Sequence, residues 1–520
     1  MKDIKKEENF NSNNLEEDSG IHGVEAHAHE LDTCKPFPFR GIVIMAIAAV
    51  LAVALFYILP DTYTDGKGVV RPFGDATKKG LCLLLFIAIM WLTEAVHITI
   101  TALMVPILGV LIGVGKVVTE TGEIAKKIVN GKEVSDYLNI KSAMATFADP
   151  TIYVFFGGFA LAAALHVQKL DRKLAMWLIS KAGGRLGVSA ILICIATAFL
   201  SMWVSNTATA AIMLPLALGL CSNMDEKDRG TKLFLLIGIA YSASIGGLGT
   251  LVGSPPNMIA AKELDFSFFD WFKVGLPIML VLFPTMLVVL YFAFKPNLNY
   301  KIEMKIEQIS WNRDRIFTTI VFCITAFLWI FSKPLNGVLT DMGVPFRLSD
   351  AWIAVAAAVT VVTAGLATWK EVSDNTEWGV LLLFGGGLTL SAILGQTGAS
   401  FVLGNAVAGV IGGLPKIVVI FCVALFIIGT TEFTSNTASA ALLVPVFAAI
   451  ADSLGMPKET LVIIIGIGAS CAFIMPVATP PNALVFGTGE IRQKDLRRSG
   501  IRLAPAAAII LTLYTYIFFA

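Results

Sequence analysis

Residues 198–215 read AFLSMWVSNTATAAIMLP, and residues 428–445 read IGTTEFTSNTASAALLVP. Both carry Ser-Asn-Thr-Ala, at Ser205-Asn206-Thr207-Ala208 and Ser435-Asn436-Thr437-Ala438, followed by small residues and a proline, Pro215 or Pro445. Two further landmarks recur with them. Phe156-Gly157-Gly158 returns as Phe384-Gly385-Gly386, and Pro255-Pro256-Asn257 returns as Pro480-Pro481-Asn482. The three landmarks keep their order and lie about 225–230 residues apart. One such coincidence is weak; three in register indicate a duplicated unit.

The setting of that unit follows from composition. Of 520 residues, 56% are hydrophobic and only 15% charged, and the mean hydropathy is +0.76. A soluble chain of this length needs far more charge to cover its surface. Apolar runs of about 20 residues recur from end to end, each long enough to cross ~30 Å of hydrocarbon. Backbone groups in lipid must be paired within the segment, so these runs are expected to be helices. The class is all-α and polytopic, and duplicated halves are a common construction in secondary transporters of that class. A net charge of +1 gives no footing for a nucleic-acid partner. The seven cysteines are scattered and form no CxxC pair, which marks them as small apolar packing residues. Residues 1–40 are polar and acidic and read as a disordered cytoplasmic tail without a signal peptide's pattern. Its His22, His27 and His29 have no fixed scaffold for a metal and read as incidental.

The triplets lie in segments 188–220 and 416–450, each about 33 residues, too long for one upright span. Each is either one broken span or a re-entrant hairpin with the triplet at its tip. Basic residues decide. Full spans are expected near 41–60, 80–97, 98–115, 147–168, 231–262, 275–294, 316–332, 351–369, 378–400, 460–489 and 503–519. With hairpins at the triplets, three basic clusters fall on the side of the N-terminus: Lys169 to Arg185, Lys295 to Arg315, and Arg492 to Arg502. The stretch 400–415, without Lys or Arg, falls opposite. The positive-inside rule therefore favours hairpins. The expected fold has about eleven spans plus two re-entrant hairpins in inverted repeats, with a cytoplasmic N-terminus. Its divisions are a first helix and loop over 41–79, one repeat over 80–295 and the other over 296–520.

The hairpin tips put Ser, Asn and Thr at mid-membrane depth, where non-helical polar backbone is tolerated only in protein or along a cavity. As N-cap types, Asn206-Thr207 and Asn436-Thr437 are expected to start the returning half-helices, whose free N–H groups and partial positive charge suit an anion. Pro255-Pro256 and Pro480-Pro481 each break a helix and free carbonyls, which with Ser and Asn oxygens are hard-cation ligands. Placing Lys or Arg at mid-bilayer costs ~2.5–3.5 kcal/mol, and both are scarce in these four segments. A bound dianion is then expected to be neutralised by co-bound cations. Glu432, beside the second tip, is an intramembrane acid with a functional role or a bracing one. Glu94, His97 and His166 lie at predicted helix ends and read as interfacial, and the Phe-Gly-Gly motifs read as close helix packing.

These residues resemble the divalent anion:sodium symporter (DASS) family of di- and tricarboxylate carriers, over nearly all of 41–520. The stretch 470–485, SCAFIMPVATPPNALV, looks like the family's signature segment, the paired triplets are its most specific feature, and Met90 to Ala95 matches its usual second helix. The resemblance implies homodimers in the cell (plasma or inner) membrane, with a scaffold and a transport domain that moves as an elevator. It implies sodium as the coupling ion, at one site with Ser201, Ser205, Asn206 and the Gly253 carbonyl, and at another with Thr431, Thr434, Asn436 and the Ala478 carbonyl. It implies that a dicarboxylate meets Asn206, Thr207, Asn436, Thr437, the triplet serines Ser205 and Ser435, and the turns at Pro255 and Thr479. Ser254 stands where Thr is common and keeps the hydroxyl.

The first reading is thus a sodium-coupled symporter of succinate, malate or fumarate. A sodium-independent dicarboxylate exchanger of the same fold keeps the triplets equally well, and a sulfate carrier is a weaker variant. An intramembrane enzyme needs a nucleophile–base pair or metal ligands at depth; there is no HExxH, no GxSxG and no paired intramembrane aspartate.

Overall fold

The computed structural model describes residues 39–64, 70–117, 123–129, 132–182, 185–221, 224, 228–298 and 309–520. The tail before Phe39, its three histidines and the loop residues Lys301 and Lys305 lie outside the described residues. Apolar composition becomes helix almost throughout, as pairing of the backbone in lipid requires. Helix α1 (Phe39–Ile58) is followed by α2 (Asp75–Thr93), α3 (Ile98–Leu111), α4 (Ile140–Met144), α5 (Pro150–Val167), α6 (Leu170–Ser180), α7 (Leu186–Ser201), α8 (Asn206–Cys221), α9 (Arg229–Gly246), α10 (Pro255–Glu263) and α11 (Phe268–Phe294). Then come α12 (Arg313–Asp341), α13 (Asp350–Thr363), α14 (Trp369–Asp374), α15 (Trp378–Gln396), α16 (Ala399–Ile411), α17 (Lys416–Thr431), α18 (Asn436–Ser453), α19 (Lys458–Gly468), α20 (Pro480–Gly487) and α21 (Gln493–Phe519). Two small antiparallel ribbons, Thr62–Thr64 with Val70–Pro72 and Lys126–Val129 with Lys132–Ser135, sit in the connections.

The duplication is visible in the packing. Helix α5 crosses α13, and α15 crosses α3. Helix α9 packs on α7, α8 and α11, as α19 packs on α17, α18 and α21. Each helix from α2 to α11 thus has its counterpart ten positions on. The halves also interlock: α8 packs on α20 and α18 on α10.

Eight helices among the described residues are long and apolar enough to cross a membrane, or nine if α16 and α17, bent by 116° at their junction, form one span. The remaining expected crossings fall on shorter pieces such as α3 and α13. Two expected spans are not continuous. Stretch 231–262 is α9 and α10 separated by 247–254, and 460–489 is α19 and α20 separated by 469–479. The prolines do not end a helix here; Pro255 and Pro480 open the next one, where a missing N–H costs nothing. The first helix also starts at Phe39, inside the expected tail.

The Phe-Gly-Gly motifs do serve close packing. A Cβ on Gly157 would fall 2.5 Å from the Ala354 carbonyl oxygen, and one on Gly386 would fall 2.6 Å from that of Ala102. The structural counterpart of Gly157 is therefore Gly386, one residue out of the motif's own register. Backbone cannot step aside as a side chain does, so Gly386→Val is expected to destabilise by about 1–3 kcal/mol. Its check is folded yield and thermal midpoint in detergent, with Gly395→Val, at a glycine with no neighbour in the way, as the control.

Candidate functional site

Each triplet sits in the break between two helices, 202–205 between α7 and α8 and 432–435 between α17 and α18. The limbs have 16, 16, 16 and 18 residues, about 24–27 Å at 1.5 Å per residue; the first three are short of the hydrocarbon thickness, while α18 is one of the eight helices long and apolar enough to cross. Both limbs of the first pair pack on α9 and on each other, and both limbs of the second do so on α19. That is the packing of hairpins. The returning helices start at Asn206 and Asn436, as expected. Ser205 Oγ accepts from Ala208 N at 3.3 Å and Ser435 Oγ from Ala438 N at 3.4 Å, so the serines cap and the asparagines are the first helical residues. This turns the Asn side chains inward.

In the first half, Ser201 Oγ donates to the Ala243 carbonyl at 2.7 Å. It also lies 2.6 Å from the carboxamide of Asn206. With its nitrogen turned inward, that carboxamide donates to Ser201 Oγ at 2.6 Å, Ala243 O at 3.1 Å and Gly253 O at 3.2 Å. One amide head is thus ringed by a hydroxyl and two carbonyl oxygens, the hard donors that suit a sodium ion in broken-helix transporters. The second half repeats the core of this set: Thr431 Oγ1 lies 2.6 Å from Asn436 Oδ1 and 2.7 Å from the Ala469 carbonyl. Thr207 and Thr437 are half-buried, and their hydroxyls make no hydrogen bond to described residues. Ser205 and Thr434, both expected as cation ligands, direct their hydroxyls elsewhere: Ser205 to its cap, Thr434 to the Thr430 carbonyl at 3.0 Å and Ser439 Oγ at 2.7 Å.

The unwound stretches close the site. Ser254 Oγ and Ser470 Oγ, both buried, lie 3.1 Å apart and join the two stretches. Thr479 caps α20 by accepting from Asn482 N at 3.3 Å. Pro255 is half-buried at the start of α10. Gly253 leaves no room for a side chain, since a Cβ would sit 2.5 Å from the Gly247 carbonyl oxygen.

Glu432 braces. Only 2% exposed, its Oε1 accepts from Phe473 N at 2.7 Å and Ile474 N at 2.9 Å, and its Oε2 from Met475 N at 2.9 Å. Tyr241 OH donates to the Phe473 carbonyl from the other side at 2.5 Å. In the first half the same place holds Met202, whose carbonyl accepts from Thr250 Oγ1. Sequence marked Glu432 as unusual, but its partners are 41 to 43 residues away and left no local trace.

The remaining candidates lie at the helix ends where they were expected. Glu94 ends α2 with φ of 47°. His97 caps α3 by accepting from Thr99 N at 3.3 Å, and His166 Nδ1 meets Asp171 Oδ2 at 3.0 Å. A cavity of about 300 Å³ opens beside the second ribbon, lined by Lys116, Lys127, Asp136 and Gln396 among others, and no triplet residue lines it.

Interlocked broken helices around buried oxygens, in a chain of apolar helices, are the build of a polytopic membrane transporter. The chain belongs to the citrate transporter family, whose model matches residues 88–456 and 347–520, and with it to the di- and tricarboxylate carriers of the DASS type that its motifs resemble. A transporter of Haemophilus influenzae is 48% identical over 91% of this chain and 96% of its own length. A sodium-dependent dicarboxylate transporter of Staphylococcus saprophyticus is 31% identical over 92% of this chain and 90% of its own. Among solved structures, the Alcanivorax borkumensis YdaH transporter aligns with a TM-score of 0.56 at 16% identity, covering 84% of this chain and 98% of that one. The Neisseria gonorrhoeae efflux pump MtrF aligns at 0.50 and 13%, covering 91% and 97%. These two support the fold alone. Family and fold are those of a transporter and not of an enzyme.

Proposed function

We propose that the chain is a sodium-coupled symporter of C4-dicarboxylates such as succinate, malate and fumarate. The reading is carried by oxygens gathered twice about the triplet asparagines: Ser201 and the carbonyls of Ala243 and Gly253 around the Asn206 amide, then Thr431, Asn436 Oδ1 and the carbonyl of Ala469. One sodium is held by the first set and another by its mate, which the Ala478 carbonyl completes. The dianion lies between them on Asn206, Thr207, Asn436 and Thr437, near the turns at Pro255 and Thr479. No Lys or Arg occurs in 201–209, 247–257, 431–439 or 469–482, so the co-bound sodium ions supply the neutralising charge. The Staphylococcus relative, named for sodium and dicarboxylate, supports the same pair of substrates.

The wider proposal is a homodimer in the plasma or inner membrane with a cytoplasmic N-terminus. Residues 41–79 precede two inverted repeats, 80–295 and 296–520, and an elevator movement of the hairpins with their partner helices carries the site across.

The test is uptake of labelled succinate into liposomes holding the purified protein, with an inward sodium gradient and no internal substrate. Concentrative uptake that vanishes when potassium replaces sodium is the expected result. Uptake that needs preloaded dicarboxylate and ignores sodium would identify an exchanger and remove the sodium assignments.

A further inference from the structure

Asn257 and Asn482 follow the double prolines, and neither has exposed surface. Asn257 Nδ2 donates to the Gly247 and Thr250 carbonyls, both at 2.7 Å. Asn482 Nδ2 donates to the Ala472 carbonyl at 3.3 Å and the Met475 carbonyl at 3.2 Å. All three positions are related by the same step of 225 residues, from 247 to 472, 250 to 475 and 257 to 482. A stretch that leaves the helix separates its carbonyls from the N–H groups four residues on that would pair them; of the four carbonyls, that of Met475 also accepts from Ala478 N at 3.3 Å. In both halves the Asn in the next half-helix reaches back and supplies two donors.

The acceptor end of each amide is idle. Asn257 Oδ1 and Asn482 Oδ1 are buried without a partner among the described residues. Leaving a buried acceptor unpaired is unfavourable, and here it happens twice at equivalent positions. The side chains are therefore kept for their donors. What those donors hold lies against the proposed cation set. The Gly247 carbonyl oxygen is 2.5 Å from where a Cβ on Gly253 would fall, and the Gly253 carbonyl is the one the Asn206 amide reaches at 3.2 Å.

We propose that Asn257 and Asn482 are positioning residues that fix the carbonyl geometry of the two unwound stretches and thereby set the sodium affinity of each half. The inference rests on the symporter reading. Outer-shell partners of this kind change metal affinity by about ten- to a hundred-fold when removed.

The decisive variants are Asn257→Asp and Asn482→Asp, which keep the shape and replace the donors by acceptors. Asn257→Ser and Asn482→Ser keep one donor each. Sodium affinity is read as the half-saturating concentration for thermal stabilisation of the purified protein in detergent. Succinate KM in liposomes at saturating sodium is read beside it. The expected result for the Asp variants is a half-saturating sodium raised about tenfold or more, with KM for succinate at saturating sodium little changed and a lowered thermal midpoint in potassium, since two buried carbonyls lose their donors. The Ser variants should fall between them and the wild type. Wild-type or tighter sodium affinity in the Asp variants would overturn the proposal, because a direct cation ligand gains from the added charge. If the Asp variants do not fold, the Ser variants decide: unchanged sodium affinity in them, or failure of all four to fold, leaves only a structural role. A wild-type protein stabilised by dicarboxylate but indifferent to sodium would instead sink the symporter reading itself.

Discussion

Glu432→Ala is expected to yield no monodisperse folded protein. The substitution strips Phe473, Ile474 and Met475 of the acceptor for their N–H groups, at a site the carboxyl group fills with 2% exposure. Each buried donor left unpaired costs about 1–3 kcal/mol, so the three together reach about 3–9 kcal/mol, comparable with the whole stability of a typical domain. Glu432→Gln keeps one oxygen for two of the donors but turns an NH₂ toward the third, and should fold with a lowered thermal midpoint. Met202, its counterpart, needs no such brace. In the first stretch Leu248 N and Gly249 N bond back to Ile245 O and Gly246 O at 3.2 and 3.0 Å. Fluorescence-detected size exclusion and a thermal melt check the order wild type, Gln, Ala. A Glu432→Ala protein that folds normally yet fails to transport would move this residue from brace to transport chemistry.

Asn206→Ala and Asn436→Ala are expected to do the reverse, leaving assembly intact and removing transport. Both side chains are half-buried at the hairpin tips, so their loss opens space to water and costs the fold little. Function loses more. A hydrogen bond to a charged group is worth about 1.5–3 kcal/mol, and at 1.4 kcal/mol per factor of ten each variant should weaken sodium or dicarboxylate binding about ten- to a hundred-fold. The double variant should have no measurable uptake. The checks are an unchanged elution profile and thermal midpoint, beside labelled succinate uptake at graded sodium. Wild-type uptake by Asn436→Ala would remove the second oxygen set from the mechanism.

These contrasting outcomes follow from what each residue touches, which sequence conveys only in part. Composition and apolar run length determined the helical membrane class, because a backbone in lipid has few ways to be paired. The recurring Ser-Asn-Thr-Ala, Phe-Gly-Gly and Pro-Pro-Asn determined the duplication, and segment length with the placement of basic residues pointed to hairpins. Short-range chemistry was legible too, since the double prolines marked where each expected span is broken. Tertiary structure decided the rest. The asparagine that starts each returning helix behind its serine cap is drawn inward to Ser201 or Thr431. Gly157 pairs in role with Gly386 and not Gly385, because the crossing partners Ala354 and Ala102 set the register. Glu432, Asn257 and Asn482 act on backbone that has left the helix, reaching 7 to 43 residues along the chain. Helical periodicity carries no information over an unwound stretch, so only the packed fold determines which donors and acceptors meet there.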